Sequence, residues 1–156
     1  MQYGLHPNPA LYNSYLNHWT LYLIPFIIQG DNVEETISNR RLAQAFMGAL
    51  NNRNYTEFQK RLMENAVLDF PGPGRIKSRK KIISFMKALF RRFPKLEFTI
   101  HDVIVEGDRA CIVWTNIGER NDGEPYSNSG ITLLQMTDGK IDFISDYFKD
   151  TSFATT

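Results

Sequence analysis

Between Asn32 and Pro94 the apolar residues recur at intervals of three and four, and from Leu96 onward they fall into long extended runs, so the chain changes period once. Asn32 is placed to cap a first helix, with Glu34 and Glu35 in its first turn and Ile37, Leu42, Ala45, Phe46, Ala49 and Leu50 on one face. Asn51 to Asn54 break that pattern. The spacing predicts a short second helix over Tyr55 to Met63, then a brief strand over Ala66 to Phe70. Pro71-Gly72-Pro73-Gly74 ends the strand, because it can continue neither a helix nor a ladder. A third helix opens near Ser78, carries Ile82, Phe85, Met86, Leu89 and Phe90 at helical spacing, and closes at Pro94.

Four strands follow: Leu96 to Glu106, Arg109 to Glu119, Tyr126 to Met136 and Ile141 to Phe148. Gly107-Asp108, Asn121-Asp122-Gly123 and Asp138-Gly139 are the turn signals between them. Helices first and an antiparallel meander afterwards make this an α+β chain, since no crossover helices separate the strands. The expected architecture is three N-terminal helices packed on a strongly curved, mainly antiparallel sheet with a deep pocket. Residues 33–156 form that domain, and residues 1–32 are set apart as an N-terminal arm or extension.

The arm contains an apolar run, Trp19 to Ile28, that is too short to span a bilayer and is interrupted by Pro25. The first Lys or Arg is Arg40, so the basic start of a secretory signal is missing. Three placements stay open for it: packed on the domain, packed on a second subunit, or an extension that function does not need. Composition adds exclusions. A net charge of +1 supplies no whole-molecule field for nucleic acid or an anionic membrane. Cys111 is the only cysteine, which rules out an internal disulfide and fits a reducing cytoplasm. His6, His18 and His101 show no metal-ligand spacing, so no metal and no cofactor is expected. Arg75, Lys77, Arg79, Lys80 and Lys81, joined by Arg91 and Arg92, are either an anion-binding surface or a solvated face. The lack of interleaved aromatic residues favours the second.

Asp146 stands out in the last strand. Ile141 to Phe148 is otherwise apolar on both parities, save Asp142 and Ser145, and a carboxyl held there is desolvated and raised in pKa. It is a candidate for proton transfer or, equally, a structural aspartate bonded to its surroundings. If Asp146 faces the interior, Ile144 and Phe148 share its face, and alignment of the neighbouring strands with similar sequences puts Trp114, Asn116, Asn128, Thr132 and Leu134 facing the same way. Asn116 is placed to hydrogen-bond Asp146. The opposite parity, Cys111, Val113, Ile117, Ile131 and Leu133, is apolar too and needs a second cover, a homodimer partner or the arm. His101 as a base, and Tyr126 or Tyr147 as donors to an oxyanion, are weaker candidates than a packing or surface role.

The segments FMGALNNRN, ENAVLDFPGPG, SRKKIISFMKALF, VEGDRACIVWTNIGE and GITLLQMTDGKIDFISDYFKDTSF together resemble the SnoaL-like branch of the nuclear transport factor 2-like superfamily, over Val33 to Phe153. The resemblance extends to ketosteroid isomerases, polyketide cyclases and limonene-epoxide hydrolases. It implies a sheet curled around a deep apolar pocket, and pairing of subunits through the convex sheet face. The positions of the isomerase base and oxyanion donors match Phe70, Phe46 and Thr132, and none of the three can take the family role, which argues against steroid isomerisation by that mechanism. Of the hydrolase set only Asp146 is kept; Asn116, Gly118, Leu68 and Phe70 stand at the other positions.

These readings combine into an expectation of cofactor-independent acid/base chemistry on an apolar substrate, as in an isomerase, cyclase, dehydratase or hydrolase. Asp146 and Asn116 are the catalytic candidates, and Phe46, Leu68, Phe70, Trp114, Asn128, Thr132, Leu134 and Ile144 the ligand-binding ones. The alternative is a non-catalytic dimeric module that binds an apolar ligand. Neither nucleic acid nor membrane is expected as a partner.

Overall fold

A computed structural model of the chain describes residues 33–152. Helix α1 covers residues 33–51, α2 Tyr55–Lys60 and α3 Arg79–Arg92. Six strands accompany them: β1 (Leu62–Phe70), β2 (Gly74–Lys77), β3 (Glu97–Glu106), β4 (Arg109–Glu119), β5 (Pro125–Thr137) and β6 (Lys140–Phe148). They form one sheet in the order β2-β1-β6-β5-β4-β3, antiparallel throughout except where β1 runs parallel to β6. The end strands β2 and β3 do not meet, so the sheet is open. Register irregularities in three strand pairs, β1/β6, β3/β4 and β5/β6, bend it.

The expected α+β order is present, with two local corrections. The second helix ends at Lys60 instead of Met63, because Leu62 pairs with Ile141 of β6 and is fully buried as the first residue of β1. Sheet pairing there outweighs a helical spacing that only one short turn supported. The Gly-Pro segment is also more than a loop: Gly72 (φ 94°) and Gly74 (φ 71°) take left-handed conformations open to glycine, and the chain returns on β1 as β2. The Asn32 cap lies outside the described residues, as does the expected arm.

Side chains of α1 and the turn after it hold the outer strand β3. Asn51 donates to the carbonyl of Phe98 (2.8 Å) and accepts from its N–H (2.9 Å), and Asn39 donates to the carbonyl of Gly107 (2.9 Å). Arg40 donates to the Val103 carbonyl and Arg53 to that of Leu96. Backbone groups on a sheet edge that would otherwise be open to another strand are thereby occupied. Arg53 also lays its guanidinium 3.7 Å from the centre of the Phe90 ring, which links the turn to α3.

The core lies between the helices and one face of the sheet, where Phe46, Phe58, Ile82, Met86, Leu68, Ile112, Leu134 and Ile144 are buried. A line of ring contacts crosses it: Phe98 to Trp114 (5.2 Å), Trp114 to Phe148 (5.6 Å), Phe148 to Phe70 (5.1 Å) and Phe70 to Phe85 (4.8 Å). Edge and tilted geometries of this kind add about 0.5–1.5 kcal/mol per pair beyond the area buried. Aromatic contacts thus join β3, β4, β6, β1 and α3 into one wall.

Candidate active site

Asp146 and Thr132 face each other directly across β6 and β5, and the Thr132 hydroxyl donates to Asp146 Oδ1 at 2.5 Å. Trp114 Nε1 in turn donates to Thr132 Oγ1 at 2.9 Å. With a lone pair of its oxygen taken by the indole, the threonine is oriented as a donor to the carboxyl. Gly130 makes this possible. It stands opposite Trp114 in the ladder, and a β-carbon there would lie 2.9 Å from the indole Cζ2 and 2.2 Å from the Tyr147 carbonyl oxygen. Any larger residue would push the ring off the strand that carries Thr132.

The carboxyl lines a cavity between the sheet and helices α1 and α3, among Phe46, Phe70, Met86, Leu89, Phe98, Ile144 and Phe148. Asp146 keeps intermediate accessibility because it forms part of that wall, and the protein packed around the cavity desolvates it. Burial pushes its pKa up to about 7, against the opposing pull of the Thr132 hydrogen bond. No other hydrogen bond reaches the carboxyl among the described residues, so when it is neutral its proton belongs on Oδ2, the oxygen that Thr132 does not occupy.

Asn116 lies on the same cavity, 5% exposed, with its Oδ1 buried and without a hydrogen-bond partner. The bond expected between Asn116 and Asp146 is not made; Thr132 takes that place. A buried amide left unsatisfied costs about 1–3 kcal/mol, which a ligand carrying a donor would recover. Tyr126 also reaches the cavity, accepts from Asn128 Nδ2 at 3.1 Å, and has its phenol pushed up by burial.

The residues singled out from the sequence fall into two groups. Phe46, Phe70, Asn116, Thr132, Ile144 and Asp146 line the cavity. Leu68 and Leu134 are fully buried in the core, Trp114 stands behind Thr132, and Asn128 binds Tyr126 and the carbonyl of Asp150 (2.7 Å) instead of facing the cavity. Leu68 was named through the family resemblance and the other three for their side of the sheet, but depth along a strand decides which residues reach the hollow. Leu50, Met86 and Leu89, read from the sequence only as helical core positions, line it too, together with Met47 and Phe93, which that reading did not single out. Among the described residues no three His, Cys, Asp or Glu side chains gather as for a metal ion, and no helix is long and apolar enough to cross a membrane.

The hollow is narrow. About 30 Å³ is open to the centre of a water molecule. That is room for roughly one or two waters, so a larger ligand enters only as flexible neighbours such as Met86 and Leu89 turn aside.

Three helices laid on an open mixed sheet, with an apolar hollow between them, define the nuclear transport factor 2-like class of α+β cones. Within it the chain belongs to the SnoaL-like domain family, whose profile matches residues 43–144. Among solved structures it is similar to a candidate SnoaL-like polyketide cyclase from Jannaschia sp. CCS1 (TM-score 0.69, 17% identity, covering 74% of this chain and 88% of that one). A candidate ketosteroid isomerase from Kribbella flavida aligns with TM-score 0.62 and 22% identity over 74% of this chain and 81% of its own. TerC, co-crystallised with polyporic acid, aligns with TM-score 0.68 and 16% identity over 74% and 95%. At such identities the likeness is one of fold. No curated protein matches the chain.

A group whose folded pKa is raised from 3.8 to about 7 is protonated more readily in the folded chain than in the unfolded one. Its cost to folding is absent below pH 4, grows as the pH rises, and is complete above about pH 7. Asp146→Asn should therefore be more stable than wild type at pH 8 by roughly 2–4 kcal/mol in denaturant unfolding, and the gap should close on acidification to pH 4. A gap independent of pH would contradict the buried carboxyl.

Proposed function

We propose that this protein is a cofactor-independent acid/base catalyst of an apolar small molecule, an isomerase, cyclase, dehydratase or hydrolase, with Asp146 as the proton-transfer group. The observation that carries the reading is a single carboxyl in an apolar cavity, titrating near neutrality and held through one oxygen by Thr132. A base or acid is most effective when its pKa lies near the working pH. Asp146 accepts or delivers the proton at Oδ2, Asn116 binds a polar atom of the substrate through its unpaired amide oxygen, and the aromatic wall excludes water. Family membership, and polyporic acid as a ligand of the similarly folded TerC, fit a small-molecule substrate. With Cys111 as its only cysteine, the chain is suited to a reducing cytoplasm.

One feature favours a second reading, a binding module without turnover. Phe70 and Phe46 occupy the positions matched to the isomerase base and tyrosine, and of the hydrolase set only Asp146 remains. The two readings part on one comparison. In the first, a compound recovered from the purified protein by mass spectrometry, or found by screening phenolic and polycyclic ketones, is turned over by wild type and about 100- to 10,000-fold more slowly by Asp146→Asn, which still binds it. Equal rates would remove Asp146 from the chemistry, and binding without turnover by either protein would establish the module.

We also propose that two copies of the chain pair through the sheet face opposite the cavity. Ile104, Ile117 and Tyr147 are 55%, 65% and 56% exposed there, beside Val113 and Ile131. Such a row on a sheet is normally covered. Sedimentation velocity should show a dimer that Ile131→Lys converts to monomer; a monomeric wild type would overturn the pairing.

A further inference from the structure

The near-neutral net charge of the chain conceals a local imbalance. Nine of its 18 Lys and Arg residues lie between Pro71 and Leu96 and none of its 17 Asp and Glu residues does, so the remainder holds nine basic residues against 17 acidic. At the margins of this stretch the charges are paired: Arg75 with Asp69, Arg79 with Glu64 and Lys95 with Glu119. The outer face of α3 differs. Lys80, Lys81, Lys87 and Arg91 are exposed, lie on one arc of the helix, and make no ion pair among the described residues.

Folding accounts for only part of this. Arg91, in the last turn, complements the helix dipole, and Lys87 lies 5.1 Å from the Tyr55 ring centre. Lys80 and Lys81 stand in the first turn, where no acidic residue is present and a cation opposes the dipole. Two cations kept where they weaken the helix, on a face that makes no ion pair among the described residues, point to an anionic partner.

A second hollow adjoins the cavity on the same helix. An open apolar groove of about 230 Å³ is lined by Phe70, Pro71, Pro73, Phe85 and Leu89, and Phe70 and Leu89 also line the hollow that holds Asp146. Lys81 precedes Phe85 by one turn. We propose that the outer face of α3 docks on an anionic lipid bilayer, with Lys80, Lys81, Lys87 and Arg91 against the headgroups and the Pro71–Pro73 groove turned to the lipid. The choice of a bilayer rests on the apolar ligand proposed above, since such molecules partition into membranes. A nucleic acid is disfavoured, because no exposed aromatic residue lies among the cations to stack on bases.

Each lysine near an anionic leaflet strengthens partitioning roughly fivefold, and added salt screens the attraction. The full chain should co-sediment with vesicles containing one third phosphatidylglycerol and not with pure phosphatidylcholine, and should be released by salt of about 1 M. Lys80→Glu/Lys81→Glu/Lys87→Glu, whose two first-turn changes favour the helix dipole and none of which touches the cavity, should lose about 100-fold or more in vesicle affinity. Asp146→Asn should bind vesicles as wild type does, so failure here is separate from failure of the acid/base reading. Equal binding to both vesicles, none to either, or capture of a DNA duplex in place of vesicles would overturn the proposal.

Discussion

The arrangement depends on keeping one carboxyl away from water while giving it a single hydrogen bond. Asp146 on β6 faces the apolar side of the sheet, and Thr132 on β5 supplies that bond at 2.5 Å. With no cation beside it among the described residues, desolvation outweighs the hydrogen bond and holds the pKa near 7. A neighbouring arginine would have reversed the balance and left an ordinary carboxylate. The chain instead places Asn116 on the cavity, whose amide adds a polar contact without a charge.

The supports reach well beyond the first neighbours. Trp114 orients Thr132, Gly130 leaves room for Trp114, and the ring contacts from Phe98 through Phe148 to Phe85 carry the wall across to α3. The side chains of α1 fasten β3, the strand that contributes Phe98. Cavity walls made of Met86, Leu89 and phenylalanine rings are closely packed at rest and have rotatable members, which suits a site that opens for its ligand. The same helix that walls the hollow carries lysines without an ion pair on its other side, so cavity wall and surface charge sit on one element.

Much of this was legible in the chain. The change of period at Leu96, the Gly107-Asp108 and Asp138-Gly139 turns and the parity of Ile144, Asp146 and Phe148 gave the element order and the side of the sheet that holds the acid. Parity has limits, though. Leu68, Leu134 and Trp114 share that side and yet are packed beneath the hollow, because a strand's distance from the helices cannot be counted from alternation. Thr132 was named for binding and Asn116 for orienting the acid, and the structure exchanges part of those places, since the exact opposite partner of Asp146 follows from ladder register. The extra strand β2 was hidden by Pro71 and Pro73, which read as a loop until Gly72 and Gly74 are seen to turn the chain back.

The central claim is that the Asp146 carboxyl is neutral for much of its time at physiological pH because the cavity desolvates it. Carbon-detected NMR titration of the side-chain carboxyls, with Asp146→Asn to assign the resonance, measures this directly. The account predicts a midpoint near 7 for Asp146, moving higher in Thr132→Val, where the bond that favours the ionised form is lost. A midpoint near 4 in the wild-type protein would contradict it.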